Sequence, residues 1–218
     1  MAFEREREAM VAQQLAARGV RDARVLDAMR AVPRHCFVPP ELVAYAYDDT
    51  PLPIGEEQTI SQPYIVGLMT EALALHGAAS RVLEVGTGSG YQAAVLATMG
   101  ARVISLERIP ALALRARGVL TELGLGERVR VIEGDGSLGW PDDAPYDGIL
   151  VTAAAPELPR PLVLQLGIGG NLVLPVGRVD TQTLVRVHRD EQGLREDYLG
   201  ECRFVKLHGV HGWKEPER

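Results

Sequence analysis

The chain has 218 residues, 46% of them hydrophobic and 24% charged, which suits a packed globular domain and excludes a disordered or fibrous protein. A formal net charge of −6 and an isoelectric point of about 5.4 leave no electrostatic footprint for nucleic acid, and no run of Lys and Arg supplies a local one. A small or cationic partner fits this balance better than a phosphate backbone.

The first ten residues, MAFEREREAM, carry both charge signs and lack the apolar core of a signal peptide. Residues 4–18 and 22–31 read as amphipathic helices, with Val11 and Leu15, then Val25, Leu26 and Met29, on their apolar faces and Gly19 ending the first. Pro33, Pro39 and Pro40 stop the helical run, and residues 38–53 read as loop. Next comes a polar, hydroxyl-rich turn, Gln58-Thr59-Ile60-Ser61-Gln62-Pro63, feeding a helix over 63–76 whose apolar positions are Ile65, Leu68, Met69 and Ala72. Pro63 suits a first helical turn, where the missing N–H costs nothing.

From Arg81 short apolar runs alternate with helical patterns. RVLEV, RVISLE, RVRVIEG, YDGILVT and GNLVLPVG read as strands, separated by helices near 90–99, 110–123 and 157–166. That alternation predicts an α/β fold with a doubly wound, mostly parallel sheet. The end differs: TLVRVHRD and LREDYLGECRFV flank a turn at Glu191-Gln192-Gly193 and predict a C-terminal antiparallel hairpin. One domain is expected over 1–218, with 1–53 as an N-terminal helical cap and loop and 54–218 as the core. The most apolar stretch, Leu158 to Gly177, is broken by Arg160, Gln165 and Asn171, so no membrane span is predicted. Cys36 and Cys202 show no disulfide or zinc spacing, and a reducing, cytoplasmic setting is expected. His208 and His211 have no nearby third ligand; they read as surface residues, with no metal expected.

In VLEVGTGSG a buried strand runs into Gly86, Gly88 and Gly90 and then into a helix. Taken alone, this loop serves equally as a tight strand-to-helix turn or as a ligand cradle at the carboxyl edge of the sheet. The spacing is G-x-G-x-G, and Tyr91 stands where a dinucleotide fingerprint needs its third glycine. Glu84 would repel a pyrophosphate but attract an ammonium group. S-adenosylmethionine, a cation with an amino-acid end and an adenosine end, matches that polarity. Glu107 ends the second strand, where a carboxylate accepts bonds from ribose hydroxyls, and Asp135 ends the third, within reach of an adenine amino group. Each acid singly reads as a helix cap or turn former; three at successive strand ends are harder to explain so.

EVGTGSGYQAAVLA with SLER and EGDG resembles class I S-adenosylmethionine-dependent methyltransferases. PLPIG, QTISQPYIV and VTAAAPELPRPLVLQL with GGNLVLPVG resemble one branch, the protein-L-isoaspartate O-methyltransferases, over nearly the whole chain. The resemblance implies a Rossmann-like, monomeric enzyme that moves a methyl group from S-adenosylmethionine, leaving S-adenosylhomocysteine, to isoaspartyl peptides and proteins. It implies cofactor contacts from Gln62, Pro63, Tyr64, Glu84, Gly86, Thr87, Gly88, Ser89, Gly90, Glu107, Arg108, Asp135 and Gly136. Ser61 would sit beside the methyl donor and substrate, although it or Thr59 also serves as a helix cap. Thr59, Ile60, the run Ala153-Ala154-Ala155 with Ala154 foremost, and Val176 become substrate contacts, with close helix-to-sheet packing the alternative for the alanines. Three departures stand out: Glu56-Glu57, Lys206 where a proline is usual, and Gly167-Ile168, the last two expected to lie away from the chemistry. A small-molecule methyltransferase, a nicotinamide oxidoreductase and a binder that has lost catalysis are the rival readings.

Overall fold

The computed structural model describes residues 3–77 and 79–214. The first helical run spans Glu4 to Arg18 but changes pitch: α1 (Glu4–Ala9) passes into a π-helical stretch, Met10–Leu15, and a 3-10 turn, Ala16–Arg18. Gly19 ends it at φ 104°, and the Val20 N–H donates to the Leu15 carbonyl at 3.2 Å, satisfying a terminal acceptor. α2 (Ala23–Ala31) is capped by Asp22, whose carboxylate accepts from the Arg24 N–H. Val32 turns extended at ψ 119° because the following Pro33 excludes the helical region.

Residues 38–53 are not simply loop. They hold a 3-10 turn, Pro40–Tyr45, and the start of a hairpin in which β1 (Leu52–Gly55) pairs antiparallel with β2 (Gln58–Ile60). The chain reverses at Glu56 and Glu57, both left-handed at φ 53° and 58°. A two-residue turn of that hand matches the twist of its strands but normally announces itself with Asn or Gly. Glu-Glu hides it, so the polar segment expected as a turn is instead a strand followed by the short link Ser61-Gln62. α3 (Pro63–Ala72) then begins at Pro63 and stops four residues earlier than its pattern suggests.

The remaining elements are β3 (Arg81–Val85), α4 (Tyr91–Thr98), β4 (Arg102–Glu107), α5 (Pro110–Glu122), β5 (Val129–Glu133), β6 (Tyr146–Val151), α6 (Arg160–Gln165), β7 (Leu166–Gly177), β8 (Gln182–Asp190) and β9 (Gly193–Cys202). They form a seven-stranded sheet in the order β5-β4-β3-β6-β7-β8-β9. The strands from β5 to β7 run parallel; β8 and β9 are antiparallel additions, as the alternation and the terminal turn predict. The chain winds outward through β4 and β5, then returns to place β6 on the other side of β3. That reversal opens a crevice beyond the carboxyl ends of β3 and β6, the usual ligand position in such sheets.

Both faces of the sheet are covered. On one, Met10, Val11, Leu15, Val25 and Met29 of the N-terminal helices share a continuous core with Val82, Val103 and Val173. On the other, Leu83, Val85, Ile149 and Leu172 pack with Leu162 of α6. Burial on both sides explains why the parallel strands read as unbroken apolar runs. Among the described residues no helix is long and apolar enough to cross a membrane.

Candidate functional site

At the crevice the backbone opens a cleft of about 820 Å³, counted out to its mouth. Its floor is the glycine loop. Gly86 stands at φ 94° with a virtual Cβ only 2.4 Å from Thr152 Oγ1, and that hydroxyl donates to the Gly86 carbonyl at 2.6 Å. β3 and β6 therefore meet through a position that only glycine can fill. Gly88, at φ 53°, faces open space apart from Ile54 Cδ1 at 3.5 Å. Gly90 does not line the cleft; it lets α4 approach Ala116 and Leu120 of α5 at 3.3 and 3.4 Å.

Glu107, at the end of β4, lines the cleft and is 5% exposed. Its Oε2 accepts from the Gly88 N–H at 2.8 Å and its Oε1 from the Ile109 N–H at 2.9 Å. The loop thus orients the carboxylate, and each oxygen keeps acceptor capacity for a ligand. Thr87, Ser89, Arg108 and Gly136 also reach the cleft, and Gly136 packs so closely on Val85 that a Cβ would lie 2.4 Å from Val85 Cγ1.

Facing this floor are Thr59, Ile60 and Ser61, carried by β2 and the link after it. Sequence reasoning missed what holds them. Arg34 is fully buried, donating from Nε to the Ala46 carbonyl at 2.7 Å and from Nη2 to the Ser61 carbonyl at 2.8 Å. Its guanidinium also lies over the ring of Tyr91, 4.9 Å from the centroid, and Tyr91 opens α4 directly after the glycine loop. Burial pulls the Arg34 pKa down to about 10, so the group remains a cation at neutral pH. One residue joins the Ser61 link to the helix behind the floor.

Several expected ligands lie elsewhere. Glu84 is fully buried beneath the loop, where Thr87 Oγ1 meets Ser105 Oγ at 2.5 Å and Ser105 Oγ donates to Glu84 Oε2. Its Oε1 has no partner, and burial pushes the carboxyl up to about 8, with Ser105 opposing the shift and Glu107 adding to it. Alternation along β3 sends Glu84 behind the loop, and a neutral acid there exerts no pull on an ammonium group. Asp135 is occupied as a cap: Oδ1 accepts from the Ser137 N–H at 2.9 Å and Oδ2 from the Val210 N–H at 2.8 Å. Burial raises its pKa, but these bonds outweigh it and hold the carboxyl below the usual range.

Gln62 turns away to donate to the Asp49 carbonyl at 3.1 Å, Tyr64 stacks under Arg18 at 3.5 Å, and Pro63 is buried at the start of α3. Ala154 is 2% exposed, and both its backbone groups are taken: its N–H by the Val205 carbonyl at 2.7 Å, its carbonyl by the Leu207 N–H at 2.8 Å. It has nothing to offer a peptide. Val176 sits in the β7 ladder opposite Thr183, with Ala155 bridged to its other side. Ala153, in contrast, does line the cleft.

The opposite correction applies at the C-terminus. Lys206, expected to lie away from the chemistry, and His208, expected as a surface residue, belong to a strap over 205–208 that forms part of the cleft wall. Only the bonds to Ala154, Asp135 and Ser137 reveal this, and none has a local sequence signal.

The family model for protein-L-isoaspartate(D-aspartate) O-methyltransferase matches residues 5–212. A protein-L-isoaspartate O-methyltransferase of Geobacter metallireducens is 54% identical over 219 residues, covering all of both chains. One from Methanoregula boonei is 56% identical over 210 residues, covering 96% of this chain and 95% of its own. A solved protein-L-isoaspartate O-methyltransferase superposes with a TM-score of 0.84 at 31% identity, over 94% of this chain and 67% of that one. A Plasmodium falciparum beta-aspartate methyltransferase, solved with S-adenosyl-L-homocysteine, gives 0.80 at 26% identity, over 93% and 98%. With the match running almost end to end, the chain belongs to the protein-L-isoaspartate(D-aspartate) O-methyltransferase family.

Proposed function

We propose that this cleft methylates the free α-carboxylate of L-isoaspartyl residues in damaged peptides and proteins, consuming S-adenosylmethionine and releasing S-adenosylhomocysteine. The observation that carries the reading is the placement of Thr59-Ile60-Ser61 across one cleft from the glycine loop, in a chain of this family. The residues present fit the cofactor. Gly88 lets the backbone approach a ligand, and Glu107 aims two oriented oxygens at a ribose diol. When bound, the cofactor supplies an electrophilic methyl group on a sulfonium.

An isoaspartyl linkage runs through the side-chain carboxyl and leaves an α-carboxylate with a pKa of roughly 3.3–3.7, ionised at pH 7. The nucleophile needs no base. Ser61 Oγ donates an orienting hydrogen bond to it, while Arg34 fixes the Ser61 backbone. Holding a carboxylate in line in this way removes about 7–11 kcal/mol from a barrier. Thr59 and Ile60 contact the peptide beside it. The methoxy group of the ester leaves more readily than the oxygen of a carboxylate, so the neighbouring backbone nitrogen attacks the ester carbonyl, expels methanol and closes a succinimide that hydrolyses partly to normal aspartate.

The same reading makes residues 1–53 the cap of a single unit, supported by the core they share with the sheet. It takes the chain to act as a cytoplasmic monomer without a nucleic-acid partner, in line with its net charge of −6. The deciding experiment offers labelled S-adenosylmethionine with two peptides that differ only in isoaspartate or aspartate at one position. Base-labile label on the isoaspartyl peptide alone is expected; equal labelling of both, or of neither while the cofactor binds, overturns the reading.

A further inference from the structure

The C-terminal strap is fixed at several points. Residues 205–207 pair with Ala154 as a short added strand, Trp213 Nε1 donates to the same Ala154 carbonyl at 3.1 Å, and Val210 and His211 donate their N–H groups to Asp135 and Ser137 at 2.8 and 3.0 Å. Leu207 is buried at 5% exposure, and Lys206 and His208 on either side of it line the cleft with it. The chain holds only two lysines, Lys206 and Lys214, and both lie in this terminal stretch. Lys206 is exposed, with its Nζ 6.0 Å from the centroid of the Trp213 ring. Two residues on, His208 Nδ1 is buried without a hydrogen-bond partner.

We propose that Lys206, with His208 beside it, forms a carboxylate subsite for the peptide flanking the damaged residue, so that the enzyme favours acidic isoaspartyl substrates. The inference rests on the function proposed above. The reacting carboxylate belongs near Ser61, whereas Lys206 stands exposed elsewhere on the cleft wall. A cation held against the reacting carboxylate would stabilise its charge and blunt its attack, so an ammonium group serves better further out. Lysine suits that place: a compact charge on a flexible stem follows a carboxylate whose position varies from peptide to peptide, where an arginine fork demands one geometry. His208, which also lines the cleft, adds a second polar side chain two residues along. In a chain of net charge −6, with exposed Glu56 and Glu57 on the hairpin turn beside β2, acidic peptides otherwise meet repulsion.

The test measures steady-state methylation of isoaspartyl peptides that carry Glu, Gln or Lys beside the damaged residue. The parent is compared with Lys206→Ala and Lys206→Glu, at low salt and at about 1 M salt, where screening acts within about 3 Å. The parent is expected to show a KM about two- to five-fold lower for the Glu peptide than for the Gln peptide, with kcat unchanged. That preference disappears in Lys206→Ala, reverses in Lys206→Glu and fades in the parent at high salt. If the parent treats all flanks alike, or Lys206→Ala keeps the full ratio, the subsite is wrong while the methyltransferase reading stands. If the parent methylates no isoaspartyl peptide, the function itself fails and the subsite falls with it.

Discussion

The two walls of the cleft are built on opposite principles. The floor is made largely by backbone: Gly86 touching Thr152, and Gly88 and Ile109 donating to Glu107, all at the carboxyl ends of three adjacent strands, β4, β3 and β6. The facing wall is made of side chains and links from three distant places, Arg34, the hairpin over 52–60 and the strap over 205–208. A backbone cradle tolerates no substitution, while a wall assembled from separate pieces can change one residue without losing the rest. The division matches the tasks, since the cofactor is constant and the peptides differ.

The largest expected effect breaks the floor. Gly86→Ala must place a Cβ 2.4 Å from Thr152 Oγ1 at φ 94°. Left-handed strain and overpacking together cost about 2–5 kcal/mol. A thermal melt should fall by roughly 5–15 °C, and calorimetry should find cofactor binding lost. A variant that still binds the cofactor tightly would show that the floor is softer than its contacts imply.

Arg34→Lys tests the facing wall. The charge survives but the fork does not, so one of the carbonyls of Ala46 and Ser61 loses its donor. A charge-assisted bond of this kind contributes about 1.5–3 kcal/mol, which predicts a fall in kcat of roughly 10- to 100-fold. Because lysine keeps a cation near the Tyr91 ring and the glycine loop keeps its own bonds to Glu107, the KM for S-adenosylmethionine should move far less than kcat. Equal loss in both parameters would mean that Arg34 supports the fold as a whole and not the Ser61 link in particular.

The same contrast sets what the sequence revealed. The strands, the reversal beside β3 and the glycine loop were legible, because each depends on residues within a few positions of one another. Glu107 was legible for the same reason. Asp135 and Glu84 were not, since an acid at a strand end looks identical whether it faces a ligand, caps a turn through Ser137 or hides behind the loop with Ser105. Arg34 lies 27 residues from the carbonyl it holds, and Lys206 is brought to the cleft by bonds to Ala154. No periodicity carries such information; only the folded chain brings these pieces together.

Glu84 offers a subtler probe beneath the floor. Its carboxyl titrates at about 8 in the fold against an ordinary 4.5, chiefly because it is buried. Between those values the folded chain keeps a proton that the unfolded chain has released, so this group's contribution to stability is complete below about 4.5 and is lost as pH rises through 8. Glu84→Gln removes the titration while keeping an acceptor for Ser105. Melts of the two proteins should therefore differ little at low pH, with the variant gaining steadily toward pH 8. A constant difference across that range would contradict a neutral buried acid.

The smallest expected effect lies at the hairpin turn. Glu56 and Glu57 both sit in the left-handed region, where a residue with a Cβ is strained by about 1–2 kcal/mol. Asn and Gly relieve that strain and keep the turn type. The double change Glu56→Asn with Glu57→Gly should therefore stabilise the chain by about 1–2 kcal/mol, a rise of roughly 2–8 °C in Tm. Both glutamates are exposed and stand outside the cleft lining, so kcat on a neutral isoaspartyl peptide should stay where it was. If the melt rises and kcat falls, the strained turn is tuning the position of Thr59 and Ser61, and the facing wall depends on its hairpin as closely as the floor depends on Gly86.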